Sequence, residues 1–216
     1  MNTISKMMIF GGVFIIGLGA WLALEVNRSA NVTNVGIARA QPIQFSHQHH
    51  VAGLGIECRY CHTSVENSSF ANVPPTSTCM NCHQQIWFGS QMLEPVRASW
   101  KSGKPIEWTR VHNLGDYVFF NHGVHVQKGI GCVSCHGRVD KMQLVYKSEP
   151  MTMEWCLSCH RAPEKHIRPK DKVFDMEWRP ENQKKPETQA EIGARLVKEY
   201  NIEPARNLSS CSTCHH

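Results

Sequence analysis

The longest apolar run in the chain lies near its start. From Met7 to Leu24, MMIFGGVFIIGLGAWLAL carries no charge for eighteen residues, the lower limit for a helix that crosses a bilayer. Lys6 and the terminal amine precede it, which by the positive-inside tendency places the N-terminus on the cytoplasmic side. A cleaved signal peptide is the competing reading. Its small-x-small site, Ala38 to Ala40, lies some fourteen residues past the run, farther than such a leader allows. The pattern therefore predicts an uncleaved anchor over residues 1–26, followed by a polar connector over 27–44. Farther on, SQMLEPVRASWKSGKP predicts a short helix that stops at Gly103-Lys104-Pro105. In PETQAEIGARLVKEYNI, Ile192, Leu196 and Tyr200 recur at four-residue steps and form one apolar helical face. The rest of Arg161 to Ser210, with eleven Lys/Arg and nine Asp/Glu, reads as solvated surface or partner-facing loop. Strand alternation is sparse, so the expected class is mainly α with extensive loops.

Cysteine spacing changes the picture. All ten cysteines fall into five copies of C-x-x-C-H: Cys58, Cys61 and His62; Cys79, Cys82 and His83; Cys132, Cys135 and His136; Cys156, Cys159 and His160; Cys211, Cys214 and His215. This is the attachment motif of c-type haem. Two thiols separated by two residues reach the two vinyl groups on one porphyrin edge, and the next residue brings an imidazole to the iron. Structural zinc and disulfides also use paired cysteines, but neither explains a histidine after the second cysteine in every copy. Five covalent haems are expected, with His62, His83, His136, His160 and His215 as proximal ligands.

Thirteen histidines leave eight outside the motifs, and a haem iron in an electron carrier takes a second axial ligand, His or Met. FSHQHH at Phe45 to His50 and FNHGVH at Phe120 to His125 place two histidines three residues apart behind an aromatic residue, with an offset of 75 residues. On a helix two such imidazoles splay by roughly 60° and are displaced by about 4.5 Å. They suit two neighbouring irons, so His47, His50, His122 and His125 are expected as distal ligands. His112, among apolar residues in WTRVHNLGDYVFF, is the expected fifth. Met151 or Met153 is the rival; His49, His166 and the terminal His216 are read as ordinary residues. Residues 45–83 and 120–160 each run histidine pair, motif, motif, which predicts duplicated two-haem modules within a pentahaem domain over 45–216. The fifth haem falls at 211–215. The formal charge of +5 is no nucleic-acid signature, since ionised haem propionates would offset it.

The F-x-H-x-x-H stretch followed by C-x-x-C-H resembles class III multihaem cytochromes, whose matching histidines are distal ligands of different haems. The larger pattern resembles the pentahaem cytochrome subunit of alternative complex III, a bacterial quinol-oxidising respiratory complex. It comprises one N-terminal membrane helix, five motifs, VHNLGDYVFFNHGVHV and MEWCLSCHRAPE. The resemblance implies a multihaem c-type cytochrome fold on the periplasmic side of a bacterial inner membrane. It implies an electron-transfer role, not catalytic by itself. The implied partners are integral-membrane quinol-oxidising subunits and an iron–sulfur subunit, with a cytochrome c or terminal oxidase as acceptor. Two other readings stay open: a quinol dehydrogenase cytochrome of the NapC/NrfH type, and a multihaem reductase with an open axial site.

Overall fold

A computed structural model describes residues 2–183 and 187–215; His216 lies outside them. The described chain is mainly helical and holds no strand, only three isolated bridges: Val35 with Lys147, Val118 with His215, and Ile130 with Ile167.

Helix α1 spans Thr3–Arg28, two residues past the expected anchor, and is capped by the Asn2 side chain. Its 26 residues extend roughly 39 Å at 1.5 Å per residue, and by length and composition it is apolar enough to cross a membrane. None of its side chains is buried.

The remainder uses short helices: α2 (Thr76–His83), α3 (Glu94–Ser102), α4 (His122–Gln127), α5 (Met153–His160) and α6 (Gln189–Glu199). Helix α3 ends where the sequence predicts, with Gly103 at φ 69°, a left-handed stop that glycine adopts without strain. FSHQHH does not begin an α-helix. His47 leads into a π-helix over Gln48–Gly53, whereas its counterpart His122 begins α4.

Two small clusters form the polypeptide's own core. In the first, Ile43, Met80, Leu93 and Val96 hold α2 against α3. The second joins Ile167 and Trp178 to Ile192 and Leu196 of α6, with Ile130 packed at its edge. This second core lies largely within the charged region read from sequence as surface. Its Ile167 and Leu196, together with Val173 nearby in sequence, are the largest fully buried side chains among the described residues.

Helix α6 is started by a capping box between Thr188 and Glu191, which satisfies two backbone donors reciprocally. It crosses the turn at Pro163–Lys165 so closely that a Cβ on Gly193 would stand 2.0 Å from the carbonyl oxygen of Glu164. Neither backbone can yield locally. A Gly193→Ala variant is therefore expected to lose about 3 kcal/mol through overpacking, read as a lower midpoint in thermal unfolding.

Candidate functional site

Each C-x-x-C stretch occupies one helical turn. Cys58–Cys61 and Cys211–Cys214 are complete four-residue helices; the others lie in α2, in Val133–His136 with Cys132 as its cap, and in α5. Positions i and i+3 share a face of such a turn, so both thiols of each motif point the same way. We number the motifs sites 1 to 5 in chain order.

The histidines pair across the fold. His47 faces His62 with ring centres 6.5 Å apart and planes 2° from parallel. His122 faces His136 at 6.5 Å and 11°. His50 and His83 stand 6.2 Å apart at 67°, His125 and His160 6.2 Å apart at 38°. Thus the first histidine of each F-x-H-x-x-H stretch meets the first motif that follows it, and the second meets the second. A metal–imidazole bond is about 2 Å. Adding roughly 1 Å from each ligating nitrogen to its ring centre, two imidazoles on opposite sides of one iron lie about 6 Å apart. All four pairs fit an iron held from both faces.

Ring orientation follows from backbone acceptors. The Nδ1 atoms of His62, His83 and His160 face the carbonyls of Asn72 (2.7 Å), Ile86 (3.0 Å) and Leu208 (2.8 Å). Those of His50, His122 and His125 face Ser46 (2.8 Å), Ser69 (2.9 Å) and Asn121 (2.7 Å). A carbonyl can only accept, so Nδ1 carries the proton and Nε2 offers its lone pair. Fixing the second nitrogen in this way is how proteins orient metal-bound histidine. Nδ1 of His47 is the exception, buried without a hydrogen-bond partner among the described residues.

The aromatic lead residue has a role that the sequence did not disclose. Phe45 stacks on His50 (4.4 Å, 22°) and meets His47 edge-on (4.9 Å, 86°). Phe120 does the same to His125 (4.7 Å, 28°) and His122 (4.7 Å, 87°). One phenyl ring thereby sets two imidazoles at a large angle to each other. The small polar residue after it, Ser46 or Asn121, supplies the carbonyl that holds the second histidine. The repeated pattern was visible; its mechanical reason was not.

Burial favours the neutral ring, the form that can bind a metal, at four of these histidines. Burial lowers His47 to about 4 and His136 to about 3, with neighbouring imidazoles adding to both shifts. Burial also lowers His50 and His125. All ten thiols are free, with no disulfide among them. No group of three or more metal-binding side chains converges among the described residues, which leaves no ready-made zinc cage.

The other candidates fall elsewhere. His112 lies against His136 (ring centres 4.3 Å, 69°), its Nε2 3.3 Å from Nδ1 of His136. His215 has Nδ1 3.3 Å from the carbonyl of Tyr117, whose ring stacks on it at 5.7 Å. His49 stacks on Trp87 at 5.5 Å. Met151 is half-buried at φ 52°, and Met153 is exposed at the start of α5.

No family model matches the chain. It is similar to the menaquinone reductase, multiheme cytochrome c subunit of Nitratidesulfovibrio vulgaris, at 35% identity over 60% of this chain and 71% of that protein.

Proposed function

The chain belongs to the multihaem cytochrome c family, and on that premise we propose that it is a membrane-anchored electron relay carrying five covalent haems in a quinone-linked respiratory complex. The four imidazole pairs at 6.2–6.5 Å, each beside a C-x-x-C-H turn, carry this reading. Bound haem supplies an iron that alternates between ferric and ferrous, one electron at a time.

The polypeptide does the rest. Paired cysteines fix each porphyrin edge. His62, His83, His136, His160 and His215 ligate from one face, and His47, His50, His122 and His125 cap sites 1, 2, 3 and 4 in that order. At sites 1 to 4, imidazole on both faces would leave the iron no position for a substrate; beside His215 of site 5 stands the Tyr117 ring. Helix α1 holds the assembly in the membrane, with the haem domain on the periplasmic side.

The resemblance to alternative complex III supports electrons arriving from quinol-oxidising and iron–sulfur subunits and leaving to a cytochrome c or terminal oxidase. A second reading runs the other way, toward menaquinone, and is favoured by the name of the relative. Purification in mild detergent, with identification of the accompanying subunits, tests the complex. Adding quinol or reduced cytochrome c to the oxidised complex then decides the direction, by which of them reduces the haems. An isolated subunit that oxidises quinol unaided supports the NapC/NrfH-type alternative instead.

His112 takes a different part from the one expected of it. With His136 bound through Nε2, its Nδ1–H would donate to Nε2 of His112, where seven of the other ligands face carbonyls. This contact makes His136 a stronger electron donor and favours the ferric state of site 3. A His112→Leu variant is expected to raise the midpoint of one haem. The lost bond is worth about 1 kcal/mol, or roughly 40 mV for one electron. Loss of a low-spin signal in that variant would instead make His112 an axial ligand.

A further inference from the structure

We propose that the five haem sites form a line in the order 2–1–3–4–5, departing from the order of their motifs, with sites 2 and 5 as the ends where redox partners exchange electrons. The proposal rests on the haem reading above and concerns how the chain folds its motifs together.

The decisive joint is between sites 1 and 3. The loop of residues 63–72 leaves the first motif and orients two different sites. The carbonyl of Asn72 holds His62 of site 1 at 2.7 Å, and that of Ser69 holds His122 of site 3 at 2.9 Å. Helix α4 lies directly on this loop: a Cβ on Gly123 would be 3.0 Å from the Glu66 carbonyl oxygen, which also accepts from Gln127 at 2.9 Å. A second tie runs through residues 173 and 174. The Cys132 amide donates to the Val173 carbonyl at 3.2 Å, and the Arg59 guanidinium lies 4.7 Å over the Phe174 ring. Motifs 1 and 3 are thus bound to one another twice.

The other joints follow. Sites 2 and 1 share the helical turn that bears His47 and His50, and Asn81 of motif 2 donates to the Tyr60 hydroxyl of motif 1 at 3.0 Å. Sites 3 and 4 share α4. Site 5 is joined to site 4 through Leu208, which accepts from His160 three residues before Cys211. Motif 2 packs on α3 through the first core cluster, which includes no residue of motif 3.

Exposure agrees independently. Of the ten cysteines only Cys82 and Cys211 are exposed, and they belong to the two proposed ends. At the central site, Cys132 and Cys135 are both half-buried. With haem bound at each site, a hop would oxidise one iron by one electron and reduce the next by one. A one-electron donor at one end and an acceptor at the other close the balance.

Full-length protein in detergent, titrated spectroelectrochemically, tests the order. Each variant identifies its own haem by a large upward shift, and adjacent haems respond because their charges interact. His50→Met at site 2 is expected to move one further midpoint, and His47→Met at site 1 two. The reverse, two for His50→Met and one for His47→Met, is the signature of motif order and overturns the proposal. Should either variant fail to assemble, Asn72→Ala leaves every thiol and imidazole in place and is expected to move two midpoints; movement of one alone overturns the shared joint. An intact mass with fewer than five haems on the wild-type chain overturns the underlying haem reading instead.

Discussion

A His125→Ala variant is expected to convert one low-spin haem to a high-spin, carbon monoxide-binding form and to disturb a second. The first effect follows from the pair geometry. His125 is the imidazole opposite His160, at 6.2 Å, and alanine offers the iron nothing in its place. Axial ligands are the strongest lever on haem potential, so the midpoint of site 4 should move by on the order of 100 mV. The second effect follows from the six-residue helix α4, which carries His122 as well. With the His125 ring gone, Phe120 loses its stacking partner at 4.7 Å and no longer clamps His122 against His136. Spectral change confined to one haem would count against a shared helix that positions two irons.

Removing residues 1–30 behind a cleavable export signal is expected to move the isolated subunit from the membrane fraction to the soluble one, with its haem spectrum intact. Helix α1 buries none of its side chains against the rest of the chain. Its ion pair, Arg28 with Glu154 at 2.9 Å, is exposed on both sides, a class worth no more than about 1 kcal/mol. The connector keeps its own ties, since the amide of Gly36 donates to the Lys147 carbonyl at 2.8 Å. A truncated chain that aggregates, or stays with the membrane in the absence of partner subunits, would show that α1 does more than anchor.

Features governed by local chemistry were legible in the sequence. The α3 stop needed only Gly103, and the buried face of α6 followed from Ile192 and Leu196 at helical spacing. The four histidines that face motif imidazoles stood out because their pattern recurs. What escaped notice depends on partners far along the chain. Ile167, Val173, Met176 and Trp178 sit irregularly among charges, so no period marked them as core, yet all four are buried. Backbone carbonyls that orient imidazoles, such as those of Asn72, Ser69 and Leu208, leave no trace in residue type. The apolar surroundings of His112 suggested a fifth distal ligand, but its neighbour His136 is 24 residues away and could not be read locally.

The modest size of the two side-chain clusters has a consequence for biosynthesis. The first cluster takes in Cys79 and Met80 of motif 2, and the second gathers Ile167, Trp178, Ile192 and Leu196; on the haem reading, the porphyrins would supply the apolar filling between the imidazole pairs. Before its porphyrins are attached, the polypeptide would have little to fold around and would be open to proteolysis. On that reading attachment of the porphyrins would be coupled to folding, and a chain expressed without haem is expected to be cleared by proteases.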